Sequence, residues 1–193
     1  MGLPAKKIEE KFTYKDYLTW PDEERWELID GVAYDMSPAP LRRHQGVVLE
    51  IASQFHNYLK DKPCHVYIAP FDVRLSDVDE VDEEIETVVQ PDIVVICDKN
   101  KLDDRGAKGA PDVIIEILSP STAKKDFITK RYLYEKHKVQ QYWIVDPQTE
   151  EVAIFKLEND KYGKPQEYKK EDKIKVDRFE NLEIDLGAIF ISK

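Results

Sequence analysis

The stretch Pro111-Asp112-Val113-Ile114-Ile115-Glu116-Ile117-Leu118 sets one carboxylate inside an otherwise apolar run. An unpaired charge buried there would cost several kcal/mol or be forced to protonate, so Glu116 needs a cation or a proton. Alternate residues of a strand share a face, so Asp112, Ile114, Glu116 and Leu118 point one way and Val113, Ile115 and Ile117 the other. Both faces are mostly apolar, which predicts a central strand covered on both sides. A second short apolar strand, Pro91-Asp92-Ile93-Val94-Val95-Ile96, also opens with Pro-Asp. A basic, tyrosine-rich helix is expected over about 123–137, with the hydroxyls of Ser119, Ser121 and Thr122 available as caps.

At 193 residues the chain is long enough for one well-buried core and short for two, which predicts a single domain over 1–193. Its core is expected over about 13–147, with a β-rich tail at 148–193. The formal net charge of -10 argues against nucleic-acid binding through bulk positive charge, so any such binding must be local. Two sparse cysteines, Cys64 and Cys97, sit in apolar runs and read as reduced structural thiols. No apolar run approaches the ~20 residues of a membrane span, and the Met-Gly start lacks the apolar core of a signal peptide. The expectation is a soluble, cytoplasmic protein.

Along the chain, a short helix is predicted over 13–20 with Thr13 as its cap. A hairpin follows, its strands at 25–29 and 32–36 flanking Asp30-Gly31, a dipeptide suited to the positive dihedrals of a two-residue turn. Residues 41–60 read as an amphipathic helix burying Val48, Ile51, Ala52, Phe55 and Leu59, with His44 one turn earlier on the same stripe. Ser37-Pro38-Ala39-Pro40 separates the two. Strands are expected over 65–75 and 87–97, joined by the acidic segment 77–86. That segment lacks the glycine of a calcium loop and reads as a solvated hairpin tip. Residues 98–110 read as a mobile connection. Further strands are predicted at 140–145, 152–157, 166–168 and 174–176, with a turn at Asn159-Asp160, and Leu182-Glu183-Ile184-Asp185-Leu186 completes the chain near a tail of low information. The order of elements is mixed α/β.

If the two Pro-Asp strands pair, Asp92 and Glu116 can converge on one divalent ion, for which carboxylate oxygens favour magnesium or manganese. On a helical wheel Lys130 falls between Leu133 and the pair Tyr134 and Phe127, facing the apolar surface, whereas Lys125 and Lys136 project to the opposite side. Metal, lysine and water are the apparatus for in-line attack on a phosphodiester. A buried ion pair between Glu116 and Lys130 explains the same two residues without catalysis, and on residue types alone the two readings stand level. Asp112 lies roughly 13 Å from Glu116 along the strand and stays away from the ion. Residue type alone makes Glu27 an exposed strand residue, His44 a hydrogen-bonded core histidine, and Tyr132, Tyr134, Tyr142 and Trp143 core aromatics. Arg42, Arg43, Lys124, Lys125, Arg131, Lys136 and Lys138 either line a groove for phosphates or are ordinary solvated charge.

The succession WELIDGVAYDMSPAP, PDIVVI, PDVIIEILSPST and KDFITKRYLYEKHKVQQYWIVDP, together with the His44 helix, resembles the Uma-two family of restriction endonucleases. That family is assigned to the PD-(D/E)XK nuclease superfamily, and the resemblance runs from about Tyr14 to Pro147. It implies an α/β (α+β) fold with a restriction-endonuclease-like core, a mixed central sheet flanked by helices, and a β-rich C-terminal extension. It also implies a Mg2+-dependent (or Mn2+-dependent) endonuclease acting on double-stranded DNA, and cutting both strands favours a symmetric homodimer. Asp92 and Glu116 match the metal-binding acids. Leu118 stands where the core motif has its lysine, and Lys130 corresponds to a lysine moved to the following helix, where it positions the attacking water. Glu27 matches the family's hairpin glutamate, and His44 a helix histidine near the site. The alternatives are a catalytically inactive DNA-binding or protein-interaction module of the same fold, and a hydrolase acting on RNA or a nucleotide.

Overall fold

A computed structural model describes residues 11–190 apart from 22, 37–39, 77–79, 120–122 and 124. The expected breaker Ser37-Pro38-Ala39, the caps Ser121 and Thr122, and Lys124 lie outside the described residues. Helix α1 (Tyr14–Tyr17) is closed by Asp16, whose carboxylate accepts from the Thr13 backbone N–H at 2.8 Å and its hydroxyl at 3.1 Å, as an N-terminal cap does. The hairpin forms as β1 (Trp26–Ile29) and β2 (Val32–Asp35), with Asp30 at φ 49° and Gly31 at φ 83°. Two successive positive dihedrals give the turn a twist that matches its strands. Helix α2 (Arg42–Leu59) buries His44, Val47, Val48, Ile51, Phe55 and Leu59 along one stripe.

The two long strands expected at 65–75 and 87–97 are each broken. The first becomes β3 (His65–Ile68) and β4 (Val73–Arg74); the second becomes β5 (Val88–Val89) and β6 (Ile93–Ile96). Proline lacks the N–H that a ladder needs. At Pro70 and again at Pro91 the chain passes between sheets, since β4 and β5 lie in one and β3 and β6 in the other.

The connection expected to be mobile at 98–110 is built instead, as a 3-10 turn and a hairpin of β7 (Leu102–Asp103) and β8 (Gly106–Lys108), with β8 parallel to β4. Arg74, only 1% exposed, ties it down. One guanidinium nitrogen donates to Asp82 at 2.8 Å and another to Asp103 at 2.6 Å. The acidic segment is therefore more than a solvated tip: Asp82 binds inward, and Ile85 is fully buried with Tyr14.

Strand β9 (Val113–Ile117) is buried throughout. The helix predicted at 123–137 is two pieces, a π-helix over Lys125–Lys130 and then α3 (Arg131–Lys136). Strands β10 (Gln141–Asp146), β11 (Glu151–Glu158), β12 (Lys161–Tyr162) and β13 (Gln166–Lys169) follow. A small ribbon of β14 (Lys173–Lys175) and β15 (Glu183–Asp185) leads into α4 (Leu186–Ile189), which periodicity did not suggest.

Among the described residues the larger sheet runs β12-β11-β10-β9-β6-β3, with β13 also on β11. β9 is parallel to β10 and antiparallel to β6. A second sheet runs β2-β1-β5-β4-β8-β7. Odd-numbered Val113, Ile115 and Ile117 pack with α2 and with Ile174, Ile184 and Phe190 of the tail. Even-numbered Ile114 packs with Leu133, Tyr134, Val89 and Val73 on the other face. The tail is thus part of the core packing, because β11 pairs along all of β10 and the tail's apolar side chains cover α2's stripe.

Two expectations are corrected here. Cys64 and Cys97 are joined in a disulfide, because the ladder pairing His65 with Ile96 sets the two cysteines opposite one another. Tyr132 and Phe127, expected in the core, are 64% and 43% exposed; Tyr134, Tyr142 and Trp143 are buried as expected. Among the described residues no helix is long and apolar enough to cross a membrane.

Candidate active site

The register Ile93↔Ile115, continued by one residue, sets Asp92 across from Glu116. Directly opposed residues of an antiparallel pair carry their Cβ atoms roughly 4.5–5.5 Å apart on one face. The two acids singled out from sequence are therefore brought together. Glu116 is 4% exposed and receives Lys130 Nζ at 2.8 Å and the Tyr134 hydroxyl at 2.7 Å, both on Oε1. Asp92 receives the Ile117 backbone N–H at 2.8 Å and His44 Nε2 at 3.2 Å, both on Oδ2. His44 reaches it from the first turn of α2.

Lys130 is as buried as its partner. Its ammonium lies 2.7 Å from Glu27 Oε1, 2.8 Å from Glu116 Oε1 and 3.9 Å from Asp126 Oδ1. Glu27 is corrected from an exposed strand residue to one that is 1% exposed, because β1 pairs with β5 and turns its carboxylate into the gap beside Gln90, whose backbone N–H donates to it at 3.2 Å. Its second oxygen takes Lys125 Nζ at 2.6 Å.

Lys125 was expected on the far side of the helix. In an α-helix residues five apart stand about 140° from one another. A π-helix, with hydrogen bonds from i to i+5, returns them close to one line. The wider turn carries Lys125 round to Glu27, where it also lies 4.5 Å from the centre of the Tyr34 ring. The same turn leaves Phe127 outside. Asp126, 2% exposed, also faces the cluster, and its backbone carbonyl accepts from the Tyr142 hydroxyl at 3.1 Å. Sequence reasoning passed over it; its placement four residues before Lys130 was the available signal.

The charges set one another. Burial alone would raise the Glu27 carboxyl, but Lys130 and Lys125 outweigh it and bring its pKa to about 2. Glu116 goes the other way: burial, reinforced by the negative charges of Asp126, Asp92 and Glu27 and only partly offset by Lys130, pushes it to about 8. Burial would lower the Lys130 ammonium, yet Glu116, Glu27 and Asp126 hold its pKa well above the ordinary range. At His44 burial is likewise outweighed by the hydrogen bond and charge of Asp92, which raise it.

A family model described as "Uma2: Putative restriction endonuclease" matches residues 14–187. The chain belongs to the Uma2 family. The match extends past Pro147, where the sequence resemblance stopped, and takes in most of the β-rich tail. The Synechocystis sp. protein slr1290, described as uncharacterized, is 24% identical to this Uma2 chain over 153 residues, 78% of this chain and 76% of that protein. A crystal structure from Anabaena variabilis, described as a putative nuclease belonging to DUF820, superposes with a TM-score of 0.73 at 20% identity, over 93% of this chain and 97% of that one. The Uma2 chain shares the mixed α+β, nuclease-like fold of that protein.

In this Uma2 chain the hydrogen bonds from described residues fall on one oxygen of Asp92 and one of Glu116, leaving Asp92 Oδ1 and Glu116 Oε2 for another partner. Two such oxygens on adjacent strands suit a hard divalent cation. Among the described residues no three His, Cys, Asp or Glu side chains form a complete cage. An ion held by Asp92 and Glu116 would keep water in its remaining positions, as magnesium commonly does. Asp112 stays apart, bound to Arg178 at 2.8 Å and to the Cys97 N–H at 2.6 Å. The basic groove is not a row of free cations: Arg43, Lys125, Lys136 and Lys138 pair with Glu150, Glu27, Asp30 and Asp160.

Proposed function

We propose that this protein is a Mg2+-dependent or Mn2+-dependent endonuclease that hydrolyses phosphodiester bonds in double-stranded DNA. The observation that carries the reading is the convergence of Lys130 on Glu27 and Glu116, beside an Asp92 that stands opposite Glu116. Asp92 and Glu116 would hold the ion, which when bound supplies charge stabilisation and a more acidic water. Lys130 positions the attacking water and stabilises charge as it develops. Glu27 holds Lys130 in place through Oε1, Tyr134 orients Glu116, and His44 orients Asp92, which together with Glu116 would hold the ion. Cleavage of both strands calls for two such centres, which a homodimer supplies. Purified protein with Mg2+ or Mn2+ should nick supercoiled plasmid, and Glu116→Gln and Lys130→Ala should each abolish nicking. Equal cleavage by the variants would remove the assignment.

A second reading has its own support. Lys130 and Glu116 pair directly at 2.8 Å, as they would in an inactive nuclease-fold module that binds DNA or protein. Divalent-ion titration separates the two, because an ion that binds the folded state raises the melting temperature. No rise in Mg2+ or Mn2+ would favour the module.

A further inference from the structure

On the other side of β1 lies a cleft of about 500 Å3 that the catalytic reading does not use. Trp26 and Glu27 are successive on that strand and so face opposite ways. Glu27 enters the lysine cluster, and Trp26 lines the cleft. Its aromatic wall is Tyr17, Trp20 and Trp26, with the Trp20 ring 5.4 Å from Tyr17 and 5.7 Å from Trp26, inclined at 54° and 67°. The polar floor is Asp72 and Gln90. Asp72 accepts from the Tyr17 hydroxyl at 3.1 Å and from Gln90 Nε2 at 2.9 Å, both on Oδ1.

Among the described residues three acids, Asp72, Glu23 and Glu24, line this cleft against one base, Arg25. Two guanidinium nitrogens of Arg25 are engaged on the Gln90 side-chain oxygen at 3.1 and 2.9 Å. Burial raises the Asp72 carboxyl above its ordinary range, offset in part by the hydrogen bonds from Gln90 and Tyr17 and by the charges of Arg74 and Arg25. Mutually inclined rings do not present the parallel faces between which a flat base stacks, but they do present π faces to a compact positive group. A phosphate at the mouth would meet Glu23 and Glu24.

We propose that this cleft is a binding site for an organic cation, an ammonium or guanidinium group held against the Trp20 and Trp26 rings with its charge met by Asp72, Glu23 and Glu24. The group belongs either to a free small molecule or to a lysine or arginine side chain of a polypeptide. Recognition is the same in both cases: ring quadrupole and carboxylate on one positive charge.

Two of the three tryptophans line the cleft and the third, Trp143, is buried in the core, so tryptophan fluorescence reads the site directly. The full chain is titrated with agmatine, with choline, with a blocked arginine-containing tripeptide and with guanosine monophosphate. A saturable change with agmatine or choline is expected, and tighter saturation by the tripeptide would identify a side chain as the natural source. Asp72→Asn and Trp20→Leu should each weaken binding by about tenfold. The double variant Glu23→Gln with Glu24→Gln alters exposed positions that leave the core intact, and it should weaken binding while keeping the wild-type melting temperature. Absence of saturation by any cation, saturation by the nucleotide alone, or unchanged cation binding in the double variant would overturn the proposal.

Discussion

Glu27, on a hairpin near the start of the chain, lies 2.7 Å from Lys130 Nζ at the end of a π-helix. The same ammonium is 2.8 Å from Glu116, so one lysine bridges two buried carboxyl groups. Removing it leaves both without their common cation. Lys130→Met should therefore cost about 3–5 kcal/mol in urea unfolding. Glu116→Gln should cost within about 1 kcal/mol, because glutamine resembles the protonated acid and still accepts from Tyr134. Similar losses in the two variants would contradict this division of charge.

Acid and base limbs of stability should have different owners. Glu27, depressed from 4.5 to about 2, contributes stability that is present above 4.5 and lost as pH falls through 2. Glu116, raised from 4.5 to about 8, contributes stability that is intact below 4.5 and declines as pH rises toward 8. Urea midpoints taken with a chelator present should show both limbs, and Glu116→Gln should erase the alkaline decline alone.

On the proposed assignment of Glu116 as a Mg2+ ligand, binding of the ion displaces the Glu116 proton. Affinity should rise with pH up to about 8, falling about tenfold for each unit below it. Calorimetry in two buffers of different ionisation enthalpy should show about one proton released per ion near neutral pH. A pH-independent affinity would place the ion elsewhere.

His44→Ala leaves Asp92 Oδ2 with the Ile117 N–H and removes the 3.2 Å contact from His44. The expected result is a lower urea midpoint, because a buried side chain is truncated, together with Mg2+ affinity weaker by about 10–100-fold. The Mg2+-induced rise in melting temperature measures it.

Gly106 sits at φ +127°, and a Cβ there would stand 2.2 Å from the Asp72 carbonyl oxygen. Gly106→Ala should destabilise the fold by at least about 2 kcal/mol. It should also speed hydrogen exchange at the Ala107 N–H, which donates to that carbonyl.

Much of the framework was legible because it depends on near neighbours. Asp30-Gly31 announced the hairpin, the spacing of Val48, Ile51 and Phe55 announced α2, and the apolar run around Glu116 announced a central strand with a buried acid. Where distant segments meet, the reading weakened. Nothing near Glu27 says that β5 will close over it, and nothing near Cys64 says that Cys97 will stand opposite. The prolines at 70 and 91 were visible, but that each marks a passage between two sheets was not.

The local pattern by itself determined that Glu116 is buried and that Lys130 turns toward the sheet, since both follow from periodicity within a single element. Only the tertiary structure decided which charges they meet. The β6–β9 register brought Asp92 level with Glu116, the pairing of β1 with β5 brought Glu27 to Lys130, and the π-turn brought in Lys125. Periodicity is a property of consecutive residues, whereas register and helix pitch are settled by the packing of segments far apart in the chain, and it is these that position the charges of the site.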